Sequence, residues 1–172
     1  MTIEIREVSR GDRAVLSDFL DVVDDIYAAD PHFVRPLNMD VSDRLDEQKN
    51  PFFDHGEAAA WVAYRAGRPC GRITASIDRG HLERHGEDVG FFGFMDTIDD
   101  GDVAHALLDR AAAWLRGRGM KRIRGPLSLS INEESGCLID GFDSPPMIMM
   151  PHHLPYQGGL IEQAGFHKVK DL

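Results

Sequence analysis

Apolar residues recur along this chain with two different periods, and the switches between them mark out the elements. Ile3-Glu4-Ile5-Arg6-Glu7-Val8 alternates as a half-buried strand does, and Ser9 to Asp12 supplies turn and helix-start chemistry. From Arg13 to Ala29 the period lengthens: Val15, Leu16, Phe19, Leu20, Val23, Ile26 and Tyr27 fall at three- and four-residue steps with aspartates between them, which predicts an amphipathic helix stopped by Asp30-Pro31. Pro31 to Phe53 has little periodicity and reads as a surface excursion, with a short solvated helix within Asp40 to Lys49. Ala58 to Ala66 and Cys70 to Ile77 are strand-like runs joined by Gly67-Arg68-Pro69, the composition of a hairpin turn.

After a polar stretch, Arg79 to Asp88, the run Val89 to Met95 is apolar enough for a central strand, with Gly90 and Gly93 where another backbone can approach. Asp99 or Asp100 then caps a helix whose buried side is Val103, Ala106, Leu107, Ala111, Trp114 and Leu115, ending in Arg116, Arg118 and Gly119. Arg122 to Ile131 predicts a fifth strand, Asn132 to Pro151 an irregular segment, Tyr156 to Ala164 a short helix, and Phe166 to Leu172 a last strand. This order gives one α/β domain over residues 1–172, a mixed central sheet with helices on both faces. Ile73, Ala75, Phe92, Phe94, Leu107, Trp114, Leu115 and Ile123 are the expected sheet–helix core. An unpaired edge at Phe166 and Val169 predicts association, either as a homo-oligomer or with a second domain.

Charge narrows the partners. With 19 Lys+Arg against 29 Asp+Glu the formal charge is −10, which repels nucleic acid and anionic membranes, so neither is an expected partner. Two cysteines and no leader-like N-terminus predict a reducing, cytoplasmic setting. His81-Leu-Glu-Arg-His85 has the spacing of two helical metal ligands, but a motif this short reads as a solvated loop, and no metal is expected. Cys137 lacks a neighbouring base and reads as a small buried hydrophobe; the Met147-Ile-Met-Met150 run reads as core filling before an acyl-pocket lining.

Seven stretches carry a family resemblance: Asn50-Pro-Phe-Phe53, Gly71-Arg-Ile73 to Asp78, Gly90-Phe-Phe-Gly-Phe94, Trp114-Leu-Arg116 with Gly119-Met120, Gly125-Pro126, Asp140-Gly-Phe-Asp143 with Pro145-Pro146, and Ala164-Gly-Phe166. Over residues 50–172 the chain resembles bacterial tandem GNAT-like proteins of the acyl-CoA N-acyltransferase superfamily, specifically the N-terminal half, which implies a second half following Leu172. The resemblance implies a CoA-dependent N-acyltransferase acting on a small amine, with acetyl-CoA or another acyl-CoA as co-substrate. Pantetheine would pair with the strand at Phe94 and Met95, the pyrophosphate would rest on Gly101, Asp102 and Val103 at the next helix start, and Asn132 would face the cleft.

Direct acyl transfer needs a base for the ammonium, and Glu133 (with Glu134), His152 and Tyr156 are the candidate catalytic groups. Two departures from the pattern favour the alternative, a non-catalytic GNAT-like ligand-binding or docking module with a degenerate acyl-CoA site. The phosphate loop is Asp96-Thr-Ile-Asp-Asp-Gly-Asp102, and at about 6 Å each carboxylate opposes a phosphate charge by roughly 1–3 kcal/mol. Ile161 stands where many GNAT enzymes carry the tyrosine that protonates the thiolate, and Tyr156 lies more than a turn earlier.

Overall fold

A computed structural model describes residues 2–171. Five strands, β1 (Ile3–Glu7), β2 (Gly56–Arg65), β3 (Arg68–Asp78), β4 (Val89–Thr97) and β5 (Arg122–Arg124), form one sheet in the order β1-β2-β3-β4-β5. The first three pairings are antiparallel; β4 and β5 run parallel, joined through α4 (Gly101–Arg116), as a crossover between parallel neighbours requires. Helix α1 (Arg13–Ile26), capped by Asp12, and α2 (Asn38–Leu45) cover one face with Val15, Phe19 and Val41 against Val62, Tyr64 and Phe94. Helix α4 and the short α5 (Gln157–Gln163) cover the other, with Leu107, Leu115, Leu160 and Ile161 against Trp61, Ile73 and Phe92.

One irregularity in β4 decides where the polar residues go. In a regular strand Phe92 and Phe94 share a face. Here Phe92 packs under α4 while Phe94 packs under α1, because Phe94 adopts φ 44° and the pairing with β3 slips between Arg72 and Thr74. The bulge sends Met95 into the α4 core. The next side chain, Asp96, is thereby engaged by residues of the α1 side.

The expected core holds: Ile73, Ala75, Phe92, Phe94, Leu107 and Leu115 are buried, and Trp114 and Ile123 pack partly buried against it. Several boundaries differ. The fifth strand stops at Arg124 rather than Ile131, because Pro126 has no N–H to give a ladder, and among the described residues the later pairing is a single bridge from Leu127 to Ser135. The expected last strand is not formed over residues 166–171, where no neighbouring strand offers a ladder; Leu172 lies outside the described residues. The polar stretch after β3 contains a helix, α3 (Arg79–His85), because Asp78 accepts from the His81 N–H and Gly86 closes it in a left-handed conformation. The methionine run is not core: Met147, Ile148, Met149 and Met150 are all exposed, since the Pro-rich segment carrying them crosses the surface.

Candidate active site

Strands β4 and β5 pair only from Val89 to Phe91. Beyond them the two chains part, but the separation is controlled. Leu127 N–H donates to the Phe92 carbonyl at 2.7 Å, and the Phe94 N–H donates to Ser128 Oγ at 3.2 Å. This approach is why residue 93 is glycine, because a β-carbon there would lie 2.2 Å from the Leu127 carbonyl oxygen. Leu129, buried at φ 74°, then turns the chain into a tight loop closed by Ser128 N–H on the Glu134 carbonyl. Positive φ at two non-glycine residues, Phe94 and Leu129, beside one opening is backbone strain of the kind that clusters at sites.

The opening is a cleft of about 60 Å³, walled by Met95 and Asp96 of β4, by Pro126, Ser128, Glu134 and Gly136, by Phe33, Val34 and Pro36, and by Pro146 and Met150 to His153. That is room for a few waters or a small headgroup. Asp96 is its fixed anion: Arg72 Nε donates at 2.8 Å and the Tyr27 hydroxyl at 2.6 Å. Burial pushes the Asp96 carboxyl up, but the Arg72 guanidinium, His153 and the Tyr27 hydroxyl bond outweigh it and hold the group below its usual range. Burial and the same anion push the Tyr27 phenol well up, so Tyr27 stays a donor.

Beside it, His152 Nε2 lies 2.7 Å from Asp30 Oδ2, with both side chains almost sealed from solvent. Burial raises the Asp30 carboxyl, yet the His152 bond and the His32 N–H more than offset this, so Asp30 is ionised and Nε2 carries the proton. A carboxylate acceptor on Nε2 fixes the orientation of the ring, as in an imidazole positioned by a carboxylate. Tyr27, stacked on Phe33 at 4.0 Å, also reaches the His152 carbonyl and ties this pair to β4. Neighbouring His153 is pushed below its usual value by burial, against the pull of Asp96, and its Nδ1 accepts from the Leu138 N–H at 3.1 Å.

Of the expected site residues, His152 and Met95 reach the cleft wall and Phe94 does too, from the bulge. Glu133 does not: it pairs with Arg44 at 2.8 Å, while its neighbour Glu134 faces the cleft, its carboxyl raised chiefly by burial and lowered in part by Arg44. Asn132 is exposed in the turn. The start of α4 is occupied from within, because Asp100 accepts from the Asp102 and Val103 N–H groups and is itself paired with Arg65, 3.0 Å at NH2. Gly101 opens that helix at the surface. Tyr156 lies on β4, its hydroxyl, pushed up to about 12 by burial and by Asp99, donating to the Thr97 carbonyl at 2.7 Å.

Tyr27, Asp30, Arg72, Asp96 and Gln157 were not singled out by pattern. Two of them carried a signal, since Asp96 is the lone charge in β4 and Arg72 the one charge inside β3 between its terminal Arg68 and Asp78. His81 and His85 stack on each other at 4.4 Å, and no group of three metal-type donors occurs among the described residues. The Cys137 thiol is pushed up to about 11 by burial.

No protein-family model matches this chain. It is 48% identical over 157 residues to Protein YghO of Escherichia coli, covering 91% of this chain and 40% of that protein. It is 42% identical over 160 residues to Bacterial ceramide synthase of Caulobacter vibrioides, covering 92% and 42%. The chain thus spans about two fifths of the length of these curated relatives. Among solved structures it superposes on a candidate acetyltransferase from Agrobacterium tumefaciens with a TM-score of 0.54 at 16% identity, over 98% of this chain and 95% of that one. It also superposes on a tandem GNAT protein from the clavulanic acid biosynthesis pathway, with a TM-score of 0.50 at 18% identity, over 68% and 34%. No helix among the described residues is long and apolar enough to cross a membrane.

Proposed function

From a chain that has the GNAT acetyltransferase fold, we propose a role in CoA-dependent N-acyl transfer in which the cleft beside Asp96 takes the amine acceptor. The observation that carries this reading is the His152–Asp30 pair on the cleft wall. An amine arrives protonated and cannot attack a thioester until it loses a proton, so a base is needed, and an imidazole positioned by a carboxylate is suited to that role. Asp96 and Glu134, held by Arg72 and Arg44, offer carboxyl acceptors on the cleft wall to which an ammonium can hydrogen-bond. The acyl donor runs along the β4 edge from Met95 to Thr97, with its phosphates toward the start of α4.

The acceptor we favour is a long-chain amine. A ceramide is an amide of a long-chain amino alcohol, and one relative is named for making it. The mouth of this cleft suits such a molecule: Val34 and Met150 line it and are exposed, and Met147 to Met149 continue the apolar rim. Between Gly125 and Phe166 there is no Lys or Arg to repel a cation. The test is N-acylation by the purified protein with acyl-CoA and primary amines of increasing chain length. Activity should rise with chain length, and His152→Ala and Asp30→Asn should each lower kcat by about 10²–10⁴-fold at a temperature where both variants, destabilised by the loss of a buried partner, are still folded. Full activity in His152→Ala would remove His152 as the base.

A further inference from the structure

Two carbonyls of the β4 edge assigned above to the acyl donor, those of Met95 and Thr97, are engaged by the chain itself. Gln157, almost completely buried, donates its side-chain amide to the Met95 carbonyl at 2.9 Å, and its Oε1 accepts from the Thr97 hydroxyl at 3.4 Å. One residue earlier, the Tyr156 hydroxyl takes the Thr97 carbonyl. A carboxamide that both donates and accepts along a strand edge makes the contacts an amide of a bound ligand would make. The phosphate end is closed in the same way, by Asp100 on the first N–H groups of α4 with Arg65 clamped to it.

We propose that the first turn of α5 is a cover over the donor seat, which acyl-CoA must displace to bind. This rests on the donor position assigned above. The helix is built to let go at one end: its sequence is Gln-Gly-Gly-Leu-Ile-Glu-Gln, with two glycines directly behind Gln157, while Leu160 and Ile161 anchor the remainder in the core. Glycine is the poorest helix former after proline, so unwinding the first turn at Gly158 and Gly159 releases Tyr156 and Gln157 without disturbing that anchor. Both glycines have room for a methyl group. A β-carbon at Gly158 would meet only Cys137 Sγ at 3.8 Å, and one at Gly159 would meet nothing within 4 Å.

That room gives a test in which the cover is stiffened rather than broken. Coenzyme A is titrated calorimetrically into the full chain as wild type, as Gly158→Ala/Gly159→Ala and as Tyr156→Phe. The stiffened variant should bind about tenfold more weakly, equivalent to 1.4 kcal/mol, and Tyr156→Phe should bind severalfold more tightly. Unchanged affinity in the folded double-alanine variant overturns the proposal. So does weaker binding by Tyr156→Phe, which would mean that the hydroxyl touches the ligand, or a complete lack of binding in all three proteins. Turnover measured on the same samples separates this from the transferase reading: variants that shift CoA affinity as expected but never acylate an amine would sustain the cover and sink the reaction.

Discussion

Asp96→Asn is the substitution whose cost the structure defines best. Arg72 and Asp96 are both almost fully buried, and among the described residues the carboxylate is the only anion bonded to the Arg72 guanidinium, which also donates to the Phe19 carbonyl. Asparagine has nearly the same volume, so no cavity opens and the loss is electrostatic. Tyr27 and Arg72 donate to different carboxylate oxygens, and asparagine keeps an acceptor at only one of those positions, setting an NH2 donor against the other partner. Removing one partner of a buried pair leaves the other charge uncompensated, at about 3–5 kcal/mol. For a chain of this size each kcal/mol moves the melting temperature by about 2–4 °C, so a fall of roughly 6–20 °C is expected.

The control is Tyr27→Phe, which keeps the stack on Phe33 and leaves the ion pair whole, and should cost only about 1.5–3 kcal/mol for the lost charge-assisted hydrogen bond. Urea unfolding of both single variants and the double gives the coupling directly. A Asp96→Asn protein within 1 kcal/mol of wild type would refute the reasoning, because Arg72 must then reach water or another anion on this side of the sheet.

Acid should destabilise the fold in two stages. His153 is held below its usual value, so the unfolded chain takes up the proton first: stability present above about pH 6.5 is lost as pH falls below it, and His153→Asn, whose oxygen can replace Nδ1 for the Leu138 N–H, should flatten that stage apart from what His81, shifted the same way, contributes. Asp96 is also depressed, which places the second loss below about pH 4, measurable as melting temperature against pH. Gly93→Ala should cost about 3 kcal/mol or more in urea unfolding, because the new methyl meets the Leu127 backbone rather than a side chain that can swing away; a cost under 1 kcal/mol would show that the Leu127 segment moves freely.

The fold was legible where burial is periodic. The helix over Gly101–Arg116 and the strand over Val89–Thr97 each announce themselves by local spacing, and their caps, Asp12 and Asp100, lie within three residues of the N–H groups they serve. What misled were segments whose composition resembles an element without a partner to complete it. Leu127 to Ile131 alternates like a strand, but Gly125-Pro126 redirects the chain and its hydrogen bonds go to a local loop instead of a ladder. Met147 to Met150 is apolar enough for a core yet sits in a stretch too rich in proline and glycine to form an element with a buried face, and so stays at the surface. Hydropathy reports the cost of exposure; it does not report whether a covering surface is available.

The site was legible only in its parts, because every contact that makes it a site is distant in sequence. His152 meets Asp30 across 122 residues, Tyr27 meets Asp96 across 69 and Gln157 meets Met95 across 62. Asp30 next to Pro31 reads as a helix stop, although α1 ends at Ile26 and Asp30 lies past the turn that follows; that it holds an imidazole follows from the strand bulge and from the crossing segment, neither of which has a local signature. The bulge is the decisive element. With regular pleating, Met95 would fall on the face opposite Phe92 and Asp96 on the same face as Phe92, setting a carboxylate against the apolar side of α4. One extra residue exchanges the two, and the acid meets Arg72 and Tyr27 instead. A single backbone irregularity therefore fixes both the stability of β4 and the polarity of the cleft, so a substitution that regularised Gly93–Phe94 would be expected to abolish both together.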